Sequence, residues 1–227
     1  DLLGVAIMAD MMELRDMNRV MVKRGIMALN CSKRPAIEAI KEYFSKASLE
    51  GDDISFLISP LINSSGRMED AIFSYEFLKS KSLEDALEKL EYIVHLNNSR
   101  KDEEKNLFEA SLAQMSADAN IIIVWGEDWH EGVVGIVASR LSKRFKKPAI
   151  VFSIRDGIAK GSARGIGDVD ILALIAQQED LLLGFGGHKG AAGLAMPQEN
   201  LESFKAKMET LAKDISTEEI EAGSDVL

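Results

Sequence analysis

Gly184-Phe-Gly-Gly-His-Lys-Gly-Ala-Ala-Gly193 packs five glycines into ten residues. Backbone stripped of side chains lets amide N–H groups come close to a phosphate, and His188 and Lys189 are the polar groups that project from it. The spacing is not that of a Walker loop, and no dinucleotide fingerprint follows a strand here. A tight structural turn carrying an exposed histidine is the plainer reading, and the residues alone leave both open. In Gly161-Ser-Ala-Arg-Gly-Ile-Gly167, Ser162 and Arg164 stand two apart and on a strand share a face. A hydroxyl and a guanidinium fork so placed can grip one phosphate, against the alternative of an ordinary solvated strand.

Two further places carry candidate chemistry. His130, in Asp128-Trp-His-Glu-Gly-Val-Val-Gly135, opens a helix whose free N–H groups favour anions. Gly132 and Gly135 allow that helix to pack closely, and a capping or packing histidine is the competing role. Asp10 ends an apolar run, residues 1–9, that reads as a buried parallel strand. The carboxyl end of such a strand is where open α/β sheets place ligands, and a carboxylate there suits Mg²⁺ or Mn²⁺. One carboxylate makes no metal site alone, so a capping or buried hydrogen-bonded Asp stays open. The ten methionines read as core filling.

The elements that must position these groups alternate along the chain. Helices are expected at Asn18–Leu29, from Pro35 to about Phe44, over Ile54–Ile62 up to an interruption at Pro60, and over Glu69–Leu78. Asn63-Ser-Ser-Gly-Arg67 reads as a turn-rich loop. A chain that opens inside a core strand suggests a sheet domain continuing upstream. Ser82 starts a long helix, with Asp85 in the capping-box position. Its apolar stripes (Leu83, Leu87, Leu90, Val94 and Phe108, Leu112, Met115) flank a wholly polar stretch, Asn97–Asn106, as in a strut between two domains. Continued to Ala117, it spans roughly 50 Å. Strands at Ile121–Trp125, Ala149–Ser153, Ile158–Ala163 and Ala191–Ala195 then alternate with helices at Gly132–Phe145, Val169–Gln177 and Leu201–Ala212. The fold class is α/β, and the acidic tail from Ser216 reads as a linker.

Bulk composition bounds the function. A chain of 227 residues, 46% hydrophobic, can build one large or two smaller cores, and no apolar run is long enough to cross a membrane. The single Cys31 rules out an internal disulfide and points to a reducing cytoplasm. No Cys/His cluster has zinc-ligand spacing. Net charge is −10, yet nine basic against six acidic residues between Trp129 and Gly190 leave +3 there. A locally basic domain on an acidic chain can still hold a phosphate backbone.

Taken in order, Ala9-Asp10, Asn18-Arg19, Pro60-Leu-Ile-Asn-Ser-Ser-Gly-Arg67, Trp129-His-Glu-Gly-Val-Val-Gly-Ile-Val-Ala-Ser-Arg140, Gly161-Ser-Ala-Arg164 and Gly186-Gly-His-Lys-Gly-Ala-Ala-Gly193 resemble the RecJ family of the DHH phosphoesterase superfamily, over about residues 1–212. The last motif is shared across the superfamily through its DHH-associated domain, whereas the Asn-x-x-Gly-Arg and Trp-His segments are specific to RecJ. The resemblance implies a C-terminal part of a DHH-type catalytic domain (1–81), a long connecting helix (82–118), a compact α/β DHH-associated substrate-binding domain (119–215) and an acidic linker (216–227). It also implies a clamp in which single-stranded DNA is degraded from its 5′ end, in DNA repair and recombination, with Mn²⁺ or Mg²⁺.

By the same resemblance Asp10 corresponds to the family's last metal-ligand aspartate. Ser162 and Arg164 correspond to phosphate-holding residues, and His188, with Gly186 and Gly187 beside it, to the substrate-facing histidine. Asn63 and Arg67 line the groove, and His130 lies in the Trp-His segment. Asp10 and His188 are the implied catalytic groups. No Asp-His pair occurs in the chain, so the family's Asp-His-His signature is absent, as is its downstream oligonucleotide-fold domain. The expectation is a portion of a longer protein, without nuclease activity alone. The alternatives are a DHH-type phosphodiesterase of oligoribonucleotides or cyclic dinucleotides, a non-catalytic nucleic-acid-binding scaffold, and an associated domain of the alanyl-tRNA synthetase type.

Overall fold

Apolar residues spaced three and four apart govern the first hundred positions, and every regular element described there is a helix. The computed structural model describes residues 1–116 and 118–221. They fall into two units, Asp1–Lys101 and Asp102–Leu227.

The first unit holds α1 (Leu2–Ala9), α2 (Asp16–Asn30), α3 (Pro35–Tyr43), α4 (Gly51–Asp53), α5 (Ser59–Met68) and α6 (Ile72–Leu78), with part of α7 (Leu83–Gln114). Residues 2–9 are therefore helical, which corrects the strand expected over 1–9. An unbroken apolar run carries no period, so it cannot separate a buried strand from a helix packed on two sides. Asp1 caps α1 by accepting from the Leu2 N–H at 2.6 Å, and Gly4 lies against Gly25 of α2, where an added Cβ would sit 3.0 Å from the Gly25 Cα. Side-chain-free crossings of this kind bring two helix backbones together. Buried Ile37, Ile40, Ile54, Leu61, Phe77, Leu90 and Ile93 form the core of this unit.

Pro60 does not end its helix. Residues Ile54–Ile58 form a π-helical turn joining α4 to α5, and the Ser59 N–H donates to the Ile54 carbonyl. The wider turn seats a residue that has no N–H and whose ring would otherwise strike the preceding turn. Asn63–Arg67, expected as a loop, consequently lies within α5. The helix expected from Glu69 begins only at Ile72.

In the second unit a five-stranded sheet has the order β1-β2-β3-β5-β4, from β1 (Ile122–Glu127), β2 (Ala149–Arg155), β3 (Ile158–Arg164), β4 (Gly184–His188) and β5 (Ala191–Pro197). β1 and β2 run parallel through α8 (Glu131–Phe145), and the other pairs are antiparallel. α9 (Ile171–Ala176) and α10 (Leu201–Leu211) pack on the face away from α8, where Phe152 meets Phe204 edge-on at 5.9 Å. An edge-to-face pair of this kind adds about 1 kcal/mol to its area burial. The C-terminal turns of α7 belong here. The Gln114 amide bonds both backbone groups of Trp125 on the sheet's edge, at 2.7 and 3.1 Å. Arg140 stacks on Phe108 at 4.2 Å and pairs with Glu104 at 3.3 Å. The tail expected as a linker contains α11 (Thr217–Glu221), and its remainder, 222–227, lies outside the described residues. No helix among the described residues is long and apolar enough to cross a membrane.

Candidate functional site

Alternation along β3 explains the Gly-Ser-Ala-Arg sequence. Gly161 and Ala163 face the core, and a Cβ on Gly161 would lie 2.5 Å from the Phe152 ring. Ser162 and Arg164 therefore share the opposite face, beneath α8. One stripe of α8, at every fourth residue, meets them in order. Glu131 pairs with Lys160 at 3.2 Å, Gly135 leaves space over Ser162 and Arg164, and the Ser139 hydroxyl accepts from Arg164 Nε at 3.1 Å. A Cβ at Gly135 would stand 3.0 Å from Ser162 Oγ and 3.2 Å from Arg164 Nη2, so a side chain at that position would push the pair aside by a few tenths of an ångström. Arg164 Nη1 also donates to Ser162 Oγ at 3.0 Å and to the Ala163 carbonyl at 2.7 Å. The guanidinium is thus held in one orientation, with its positive charge fixed beside the Ser162 hydroxyl.

Strand register carries this face across two more strands. Arg164 pairs with Ala191 and Ala191 with His188; Ser162 pairs with Gly193 and Gly193 with Gly186; Lys160 pairs with Ala195 and Ala195 with Gly184. Residues directly opposite on neighbouring strands point to the same side, so all nine share the α8 face. Arg164 and His188 stand two strand spacings apart, about 10 Å between their Cα atoms. Gly184, Gly186 and Gly193 are exposed, and a Cβ on any of them would meet nothing within 4 Å. The result is a flat, bare floor over β5 and β4, walled on one side by α8 with Ser162 and Arg164, with His188 in the terminal row.

The glycine-rich segment is a strand and half of its partner, joined by a tight turn at Lys189–Gly190. Gly187 has φ +150°, and a Cβ there would sit 2.3 Å from the Ala191 carbonyl oxygen, so no other residue is accommodated. Exposed His188 accepts from the Gly190 N–H at Nδ1, at 3.2 Å, so the neutral ring carries its proton on Nε2 and presents a donor outward. Lys189, a candidate phosphate cation by sequence, is paired with Asp168 at 2.6 Å. His130 is the N-cap of α8: its Nδ1 accepts from the Gly132 N–H at 3.1 Å. The preceding Trp129 lies flat against Gly126, and its carbonyl accepts from the Ser153 hydroxyl, which fixes where the helix starts.

In the first unit an open cavity of about 700 Å³ lies between α1 and α5. Leu2, Val5, Ala6, Ala9 and Asp10 line one wall; Ser59, Ile62, Asn63, Gly66 and Arg67 line the other. Both sets fall at i, i+3, i+4, i+7 and i+8, the positions of one helical face. The structure therefore brings Asp10, Asn63 and Arg67 to one cavity. The intervening Ser64 and Ser65 point inward, Ser64 donating to the Leu61 carbonyl at 2.6 Å and Ser65 to Ser74 Oγ at 2.8 Å. Arg67 keeps surface in contact with solvent, but desolvation of its guanidinium, and then the nearby Arg100 charge, push its pKa down. It remains cationic at neutral pH. Ser59 is buried, and its hydroxyl has no hydrogen-bond partner among the described residues.

Sequence reasoning missed Ser59, Ser139 and Gly193. The Glu131-Gly135-Ser139 spacing was a visible signal for Ser139; Gly193 needed the strand register. No three His, Cys, Asp or Glu side chains among the described residues gather to hold a metal ion. Asp10 is a single carboxylate in its cavity, and a hard divalent cation takes about six oxygen ligands. These residues do not by themselves fit such an ion.

Residues 118–214 match the DHHA1 domain. Across 96% of its length the chain is 31% identical to the single-stranded-DNA-specific exonuclease RecJ of Bacillus subtilis, and across 93% it is 32% identical to that of Thermus thermophilus. It spans 29% and 31% of those two proteins, under a third of either. The crystal structure of Thermus thermophilus RecJ with Mg²⁺ superposes with a TM-score of 0.87 at 29% identity, over 95% of this chain and 34% of that one. A RecJ exonuclease bound to manganese gives 0.83 at 30% identity, over 95% and 55%.

Proposed function

From the premise that this chain belongs to the RecJ family, we propose that it is the substrate-holding portion of a 5′-to-3′ single-stranded-DNA exonuclease acting in cytoplasmic DNA repair and recombination. The observation that carries the reading is the aligned face of the second unit, where a pinned Arg164–Ser162 pair, a floor of exposed glycines and the outward Nε2 of His188 lie in adjoining rows. Phosphate needs donors and positive charge from Arg164, Ser162 and His188, and room for its sugar from the missing side chains of Gly186 and Gly193. A flexible single strand can lie in so shallow a trough.

In this reading residues 1–81 belong to a DHH-type domain, 82–118 connect, and 119–215 form the associated domain; the DHHA1 match over 118–214 supports the last. Asn63 and Arg67 hold substrate within the first unit, where they share a cavity with Asp10. Asp10 contributes one ligand to a Mn²⁺ or Mg²⁺ centre whose other ligands lie outside these residues, and the crystallised relatives with Mg²⁺ and manganese support that class of ion. Gly187 shapes the backbone beside His188. His130 acts by setting the start of α8, with its Nε2 available to the strand.

The test is binding of 5′-phosphorylated oligo-dT to the 227-residue chain at low salt. Binding is expected to be weak and salt-sensitive, and Arg164→Ala is expected to weaken it about 10- to 100-fold, the loss of a charge-assisted hydrogen bond to phosphate. Equal affinity of the two proteins would remove the phosphate role. The chain alone is expected to release no mononucleotides.

A further inference from the structure

We propose that Lys143 and Lys146 prolong this face into a track for the backbone of a longer strand, an inference that rests on the phosphate-holding reading of Ser162 and Arg164. The α8 stripe that meets Lys160, Ser162 and Arg164 consists of Glu131, Gly135 and Ser139. The next residue of that stripe is Lys143, about 6 Å farther along the helix axis than Ser139. The last turn of α8 stays over the end of this strand: the Ser142 hydroxyl donates to the Gly165 carbonyl at 2.9 Å, just past β3. Lys146 closes the helix in the left-handed conformation, at φ 53°, one turn beyond Ser142.

Most cations of this unit are already engaged. Arg140 pairs with Glu104, Arg155 with Asp128, Lys160 with Glu131, Lys189 with Asp168 and Lys207 with Asp180. Arg144 lies over Phe108 and Phe145, and Lys205 over Trp125. Lys143 and Lys146 are exposed, and no ion pair joins either to a described residue. Two uncompensated charges at the end of α8, by the end of the strand that carries Arg164, raise the local potential where a polyanion leaves the Ser162–Arg164 pair. Single-strand phosphates are the ligand, because the charges are spaced along a line and offer no pocket for a compact anion.

The test compares wild type, the double variant Lys143→Gln/Lys146→Gly and a control of equal charge change, Lys207→Gln/Lys213→Gln, on the opposite side of the sheet. Glycine keeps the left-handed helix end without strain, so the double variant is expected to melt with wild type. Probes are a 5′-phosphorylated thymidine dinucleotide and an oligo-dT of roughly 20 nucleotides, titrated across salt. For the long strand, the slope of log K against log salt is expected to flatten by about 1.4, two contacts at about 0.7 each. Dinucleotide affinity is expected to stay within about twofold, and the control to match wild type for both probes. An unchanged slope with the long strand, a matching loss on the dinucleotide, or the same loss in the control overturns the track. If wild type binds neither probe, the reading of Ser162 and Arg164 fails first; Arg164→Ala reports on that reading separately, through the dinucleotide.

Discussion

The Ser162–Arg164 pair is organised before any ligand arrives. Arg164 donates to Ser139, to Ser162 and to a carbonyl, so little side-chain freedom remains to be lost when an oxyanion binds. Gly135 is the residue on which this depends, because it supplies the space in which the pair sits. Gly135→Ala gives a sharp prediction. Alanine favours the α8 helix by about 1 kcal/mol over glycine, yet its methyl must push Ser162 Oγ and Arg164 Nη2 aside by a few tenths of an ångström. The expected outcome is a melting temperature equal to or above wild type, with affinity for 5′-phosphorylated oligo-dT reduced about tenfold. Reduced stability with intact binding would assign Gly135 to packing alone. The shared face of Ser162 and Arg164 was legible in the sequence, because Ser-x-Arg on a strand is a local pattern. The partnership of Lys189 with Asp168, and the capping use of His130 Nδ1, depend on neighbours that spacing along the chain does not disclose.

At the scale of elements, the first unit shows how far a pattern can mislead. Residues 1–9 are apolar at every position but Asp1 and Gly4, so strand and helix fit equally until the cavity wall and the buried face separate. Asn-Ser-Ser-Gly has turn-forming composition, yet α5 runs through it because Ser64 and Ser65 turn their hydroxyls onto helix carbonyls and a neighbouring hydroxyl. That helix depends on its beginning. Glu50 and Asp53 form a reciprocal capping box, and Asp53 also pairs with Lys46 at 2.7 Å. The Lys46 hydrogen bond, then the Glu50 N–H, hold the Asp53 carboxyl below its usual pKa. A depressed folded-state pKa means stability that is present above the ordinary Asp value and lost as pH falls through the folded one. Asp53→Asn is therefore expected to lower the melting temperature by a few degrees at neutral pH. The gap should close below about pH 4 as the wild-type carboxyl is protonated. A gap of constant size across that range would show that the charge contributes nothing.

For the whole molecule, net charge and local charge point in different directions, and the second unit resolves the contrast. Ion pairs engage Arg140, Arg155, Lys160, Lys189 and Lys207 around the sheet, and the exposed Lys143 and Lys146 stand at the C-terminal end of α8. Strand order and register were not legible from composition, because β5 returns between β3 and β4 and only that arrangement sets Gly193 and Gly186 beside Ser162. The central claim concerns that face. Backbone amide NMR of the 227-residue chain, titrated with 5′-phosphorylated oligo-dT at low salt, tests it most directly. The amides of Ser162, Arg164, Gly186, His188 and Gly193 are expected to shift together and saturate at one concentration, while those of α10 on the opposite face stay still. Shifts confined to α10, or none on β3, β4 and β5 while the DNA binds, would contradict it.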